Sequence, residues 1–520
     1  MRVVNKNFYI STAIAYSSQS PHIGNVYEII LADAIARFKR LDGHNVYFQT
    51  GTDEHGQKIE NKAKIKGIKP KEYVDEVSTL IRTIYDSIDI SYDNFVRTTD
   101  VFHEESVQAI FNKLLENDDI YLGKYQGYYS ISEEAFVFEK DLVDGKCPGG
   151  DIPIWTEEET YFFRLSKYQD RLIDYINKNP LFIQPESRKN EMLNNFLKDK
   201  LPDLSVSRSS FKWGVPILNS DHVIYVWIDA LSNYITGLGY NPNLPLNKKF
   251  KDFWPADVHL VGKDIVRFHT IYWPIILMAL GLELPKQVFG HPWILFNKEK
   301  MSKSTGNVKY TDELVKLFGV DVVRYYCLHD IPFAQDGNLT YELIVERNNS
   351  DLSNTLGNLV NRTIGMVNKY QGGTLYKVLL PELSPINLSE EAIQLLPKIR
   401  SHFDKLNVSL ALDEIVNFAR DCNKYIDLNA PWTLYKETNT ERLKHVLYTL
   451  IESIRFIGIL LQPFIPSSSL KILDAIKVSN TSFESLSTFG LIEGVKLDIG
   501  HAIFERFDLE KKIKEIEENV

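Results

Sequence analysis

Lys300-Met301-Ser302-Lys303-Ser304 sets two ammonium groups three residues apart on a polar loop. Such a loop can fold over a triphosphate and neutralise the charge that develops as pyrophosphate departs. Its counterpart near the N-terminus, Pro21-His22-Ile23-Gly24, places an imidazole and a bare backbone where a helix would begin. A pentapeptide of fixed identity is a strong signal, whereas His-Ile-Gly alone is a weak one. Taken singly, the first is a solvated lysine-rich loop; taken together, the two describe a grip on ATP.

The elements that must position them are legible in the hydrophobic pattern. Phe8-Tyr9-Ile10-Ser11-Thr12-Ala13 reads as a buried strand, a polar turn follows, and Pro21 opens a helix. His22 then stands at the helix N-terminus, where unpaired backbone N–H groups and the macrodipole favour phosphate, and Gly24 lets a nucleotide approach the backbone. Ile23, Tyr27, Ile30, Ala34 and Phe38 recur at helical spacing until Gly43. Val46-Tyr47-Phe48-Gln49-Thr50 follows as a second strand and runs into Gly51-Thr52-Asp53-Glu54-His55-Gly56. That places Asp53 at a strand C-terminus, where open parallel sheets bind ligands.

These motifs, with Tyr16, Tyr225-Val226-Trp227-Ile228-Asp229-Ala230 and Gly262-Lys263-Asp264 between them, occur in the order of the methionyl-tRNA synthetases, a class I aminoacyl-tRNA synthetase family that the chain resembles from Phe8 to about Trp432. The resemblance implies a ligase that converts methionine and ATP to methionyl-adenylate and pyrophosphate, then moves the methionyl group to the 3′ end of tRNA(Met). It implies that His22, Lys300 and Lys303 are catalytic. It further implies that His22, Gly24, Asn25, Lys263, Asp264 and the five residues Lys300, Met301, Ser302, Lys303 and Ser304 bind ATP, with Mg²⁺ travelling on the nucleotide. Methionine would be held by Ile14, Tyr16, Asp53, Trp227, Ala230, Leu231, Tyr234, Ile265 and His269. Two positions depart from the family pattern. Asn25 stands where a second histidine is usual; its carboxamide can donate a hydrogen bond to a phosphate but carries no charge. Leu231 stands where relatives often have proline, so the pocket floor differs there.

The residue types suit a thioether. Aromatic rings and an imidazole offer polarizable contacts to sulfur, and the Asp53 carboxylate can hold an ammonium. Val223-Ile224-Tyr225-Val226-Trp227 reads as a strand that resumes the sheet, followed by Val258-His259-Leu260-Val261-Gly262 and a helix. On that helix Ile265, His269 and Trp273 are four apart and would share the face that looks into the crevice. Read singly, an aromatic residue is core packing and His269 a satisfied buried histidine.

The expected fold is α/β: a Rossmann-like parallel-sheet catalytic domain, split by a connective insertion and followed by an α-helical bundle that binds the anticodon. Residues 1–115 form the first catalytic half, 116–222 the insertion, 223–350 the second half with the lysine loop, and 351–520 the bundle. In the insertion short aromatic strands carrying Tyr121, Tyr125, Tyr128, Tyr129, Phe136 and Phe138 precede helical stretches near Tyr161–Lys178 and Ser187–Leu201. The family commonly carries zinc knuckles here, but the matching positions are Ser130, Glu133, Cys147 and Gly150, one thiolate where a tetrahedral site needs four N or S ligands. No structural zinc is expected, and Cys147-Pro148-Gly149-Gly150 reads as a tight turn. In the bundle Asn358 and Arg362 are four apart on one helix face, and Trp432 follows Asn429-Ala430-Pro431 at a helix start. The resemblance implies that these three read the CAU anticodon, by edge contacts and stacking. A capping Asn, a surface Arg and a core Trp are the plainer reading.

Composition narrows the class. The 520 residues are 44% hydrophobic and 25% charged, ordinary for a globular protein. No apolar run approaches the roughly 18 to 20 residues of a membrane span, no secretory signal is visible, and the three cysteines, Cys147, Cys327 and Cys422, suit a reducing cytoplasm. The net charge of −10, and 19 basic against 22 acidic side chains in 351–520, confine any RNA footprint to a local patch. The charged stretch Glu510 to Glu518 reads as an exposed helix, and with no dimerising domain after it a monomer is expected. Synthetases for aliphatic amino acids would need a larger editing insertion, the cysteine enzyme would need zinc ligands, and a small nucleotidylyltransferase would not need the bundle. A catalytically weak paralogue acting as a tRNA-binding module would fit Asn25 but would not require both loop lysines.

Overall fold

The computed structural model describes residues 6–130, 135–137, 142, 145–147, 151–301, 306–492, 494–497 and 502–519. At its centre lies a seven-stranded sheet of β1 (Asn7–Thr12), β2 (Ala15–Tyr16), β3 (Asn45–Asp53), β4 (Asn94–Arg97), β5 (Ile183–Gln184), β6 (Val258–Gly262) and β7 (Val288–His291). Every pairing in it is parallel. From β1 the chain first adds β3 on one side and later β6 on the other, so the crevice above β1 is a switch point of the kind where such sheets bind ligands.

Period-2 alternation explains how the sheet is covered. Phe8 and Ile10 of β1 face the helix α1 (Ile23–Leu41), while Tyr9 between them enters a second core on the other face. The core around α1 continues into the helices beyond residue 358, and Phe38 of α1 stacks on Phe403 with ring centroids 3.8 Å apart. The expected helical region is therefore built directly on α1, with Asn358–Gln371, Leu388–Phe403, Val408–Asn429, Thr440–Leu461 and Pro466–Ala475 as its main helices. The charged Leu509–Asn519 helix buries Ile516, and Lys512 donates to the Leu317 carbonyl at 2.8 Å, so one face of it is docked.

Four local expectations differ from the structure. Val223–Ile224 pairs antiparallel with Ser207–Arg208 outside the central sheet, and the chain enters the helix α2 (Val226–Thr236) at once. The apolar run was ambiguous because Ile228, Leu231 and Ile235, buried at three and four spacing, continue it and win. Tyr161 to Phe163 end a strand, Ile154–Phe163, of the insertion's antiparallel sheet, and the helix there is Gln169–Lys178. β5, inside the 116–222 block, returns to the central sheet beside β7. After β6, a π-turn over Phe268–Tyr272 precedes the Trp273–Leu280 helix. The wider turn breaks the four-residue spacing: Trp273 is fully buried, donates to His259 Nε2 at 3.3 Å and does not line the crevice.

Candidate active site

The C-terminal ends of β1, β3 and β6 surround a cavity of about 540 Å³. All nine residues expected at methionine line it, as do His22, Gly24, Asn25, Asp264, Lys300 and Met301 from the nucleotide set. Ser302, Lys303 and Ser304 lie outside the described residues, as do Glu133 and Gly150. The two distant motifs meet through the backbone. His22 forms a β-bridge with Tyr310, and Ile23 N–H donates to the Lys309 carbonyl at 2.9 Å, which ties the start of α1 to the segment just past the lysine loop.

Local chemistry explains the shape of the first motif. His22 is the N-cap of α1: its Nδ1 accepts from Gly24 N–H at 3.1 Å, while Asn25 Oδ1 accepts from His22 N–H at 3.3 Å. This reciprocal cap satisfies two donors and places the His22 proton on Nε2. Asn25 thus closes the cap that presents His22. A Cβ on Gly24 would sit 2.9 Å from the His22 ring and 3.2 Å from Met301 Cε, so a larger residue would have to displace the capping imidazole.

Around Trp227 and His269 the pocket is uncharged and aromatic. His269 Nδ1 donates to the Ile265 carbonyl at 2.9 Å and Nε2 accepts from the Tyr234 hydroxyl at 2.7 Å. Burial drives the imidazole down to about 4, so it is uncharged at neutral pH. Trp227 stacks on Phe268 with centroids 3.8 Å apart and meets His269 edge-on at 6.2 Å. Asp53, ending β3 beside Tyr16, supplies the carboxylate.

Several contributors were given no role by the sequence. Glu28, one turn into α1, lines the cavity and meets His291 Nε2 at 3.0 Å, while His291 Nδ1 donates to the Pro292 carbonyl at 2.8 Å. With Nδ1 donating, the Glu28–His291 contact requires one further proton, and burial raises the Glu28 carboxyl. Behind the pocket, Asp229 of α2 accepts from His55 at 2.7 Å and His103 at 2.8 Å, all three buried. Burial opposes these charges, yet Asp229 and Glu104 bring His55 up to about 10, and the two imidazoles hold Asp229 near 2. Glu54 is likewise buried and takes Arg97 at 2.7 and 2.8 Å. Of the Asp53-Glu54-His55 run, only Asp53 lines the cavity; its two neighbours anchor it. No spacing rule joins His55, His103 and Asp229, because their proximity is tertiary.

Lys263 does not line the main cavity. It lies against Asp336, 2.7 Å from each carboxylate oxygen, in a smaller neighbouring cavity of about 290 Å³. On the helical region Asn358 is exposed, Arg362 reaches Asp427 at 3.1 Å, and Trp432 is 40% exposed, which removes the core reading of this tryptophan. In the insertion the Ser130 hydroxyl donates to Asp151 at 2.9 Å, and the backbone of the buried Cys147 donates to the Asp151 carbonyl at 2.9 Å. Among the described residues no group of three His, Cys, Asp or Glu is placed to hold a metal ion.

The family model for class I tRNA synthetases (M) matches residues 8–151 and 149–364, and that for the anticodon binding domain of methionyl tRNA ligase matches 384–519. The chain is 54% identical over 98% of its length to the methionine–tRNA ligase of Clostridium tetani, covering 80% of that protein, and 52% identical over 98% to that of Clostridium perfringens, again covering 80%. It is similar to the structure of Mycobacterium tuberculosis methionyl-tRNA synthetase in complex with methionyl-adenylate, with TM-score 0.92, 42% identity, 96% of this chain and 100% of that one.

Proposed function

Because the chain belongs to the methionyl-tRNA synthetase family, we propose that its cavity above β1, β3 and β6 is where methionine is activated with ATP and then passed to tRNA(Met). The observation that carries the reading is that His22, Lys300, Asp53, Trp227 and His269 all line one cavity. Asp53 takes the substrate ammonium, and the thioether lies among Trp227, Tyr234 and the uncharged His269. The methionine carboxylate then attacks the α-phosphorus of MgATP, forming the new P–O bond as the bond to pyrophosphate breaks. No protein nucleophile takes part. Catalysis is positioning plus charge stabilisation by His22 through Nε2–H, by Lys300 and by Lys303, with Asp264 at the ribose. A hydroxyl of the terminal adenosine of tRNA next attacks the adenylate carbonyl, gives up its proton, and AMP leaves. Asn358 and Arg362 meet base edges of the anticodon while Trp432 offers a stacking face.

Amino-acid-dependent exchange of pyrophosphate into ATP, run with all twenty amino acids, tests this. Methionine alone should support it. Exchange with another amino acid removes the pocket assignment, and no exchange with tRNA binding intact favours the weak-paralogue reading.

Mg²⁺ enters with the nucleotide as substrate. The insertion is proposed to hold no structural zinc, since a hydroxyl at Ser130 and one thiol at Cys147 do not fit a four-ligand soft site; metal analysis after purification without added zinc should find it substoichiometric. A cytoplasmic monomer is the proposed working form, with light scattering as its check. Among the described residues no helix is long and apolar enough to cross a membrane.

A further inference from the structure

Trp293 lines the catalytic cavity on the segment between β7 and the lysine loop, and it belongs to none of the motifs above. Its ring carries two ammonium groups: Lys300 Nζ lies 4.0 Å from the ring centroid and Lys263 Nζ 4.1 Å. Its Nε1–H donates to Asp264 Oδ1 at 3.1 Å, and its backbone N–H donates at 3.0 Å to Asp336, the carboxylate that holds Lys263. One side chain therefore joins the Gly262-Lys263-Asp264 turn at the end of β6 to the first lysine of the loop. The register assists, because Leu295 pairs with Lys300 in a tight antiparallel hairpin that brings the lysine back over the ring.

We propose that Trp293 is a positioning residue for adenylate formation, its ring poising the Lys300 ammonium at the cavity mouth and its N–H aiming Asp264 at the ribose. The proposal rests on the ATP reading above. The negative face of an indole attracts an ammonium and restricts a side chain that is otherwise exposed and free to sample many rotamers. Two cations on one ring also repel each other. An incoming triphosphate meets the Lys300 ammonium from the side away from the ring, so Lys300 reaches the phosphates while still resting on the indole, and Lys263, held by Asp336, stays. Lys263 then acts on ATP through Trp293 and not by contact.

Site-specific replacement of Trp293 by tryptophans carrying one, two and three ring fluorines weakens the quadrupole with little change of shape. Fluorination makes the N–H a stronger donor, so a decline reads the ring alone. The single-turnover rate of adenylate formation at saturating ATP should fall stepwise, by about tenfold across the series, with the methionine Kd constant within about twofold. Trp293→Phe should raise KM for ATP several-fold while keeping most of that rate, and Trp293→Leu should lower the rate by about tenfold or more. A flat fluorine series in an enzyme active in methionine-dependent pyrophosphate exchange, or equal rates for the Phe and Leu variants, overturns the proposal. Absence of exchange in the unsubstituted protein overturns it together with the ATP reading, a result distinct from a flat series.

Discussion

In the cavity, Tyr234 and His269 are buried and joined at 2.7 Å, and His55, His103 and Asp229 lock the elements behind them. On the helical region, Trp432 is 40% exposed, Asn358 is exposed and Arg362 touches Asp427 at 3.1 Å. A small substrate must find its contacts already in place, since it brings too little binding energy to organise them. A splayed RNA loop brings stacking surface and base edges of its own, and it needs side chains left in solvent to meet it. On the function proposed above, pre-formed burial and open display are two recognition strategies in one chain, and they respond differently to mutation.

The largest effect should come from the buried side. Asp229→Ala leaves two imidazoles without their carboxylate and should cost about 3 to 5 kcal/mol of stability, read by chemical denaturation. Its pH signature is specific. His55 is raised to about 10 in the folded state, so its contribution is complete below an ordinary imidazole value of about 6.5 and is lost as pH rises through about 10. Asp229, held near 2, contributes above about pH 4 and loses that contribution as pH falls through 2. His55→Gln should therefore flatten the decline in melting temperature between neutral pH and about 10; an unchanged slope would remove the pair from the account.

Next in size, Lys303→Ala should slow adenylate formation by about 10² to 10³-fold with the KM for methionine unchanged. Quench-flow that finds the normal rate would take Lys303 out of catalysis. Trp432→Ala should lower kcat/KM for tRNA by about 5 to 150-fold, the equivalent of 1 to 3 kcal/mol of lost stacking, and leave pyrophosphate exchange untouched. If exchange fell equally, the two regions would not be separable. Smallest, Asn25→His should change adenylate formation by less than about tenfold, below 1.4 kcal/mol, because Asn25 works chiefly as the cap of α1.

Much of the cavity lining was legible because the His22, Asp53 and Gly262 motifs follow strands of the parallel sheet, whose C-terminal ends open on one edge. Asp53 followed from the end of β3, and His22 from the start of α1. Legibility failed where local pattern had two readings, as at Val223–Trp227, or where one inserted residue changed the period, as at the π-turn before Trp273. The sequence also gave no sign of the ion-pair partner of Lys263, because Asp336 lies far along the chain.

Periodicity and residue type determined the alternating sheet, the capped α1 and the set of side chains able to meet ATP and a thioether, since these depend on neighbours within a few residues. Only the tertiary structure decided which charges were already taken. Asp229 pairs with His55 and His103, Glu54 with Arg97, and Trp293 gathers Lys263, Lys300 and Asp264. The reason is electrostatic and steric: the partner of a buried charge is whatever the packed sheet and helices bring within about 3 Å, and that distance is unrelated to separation along the chain.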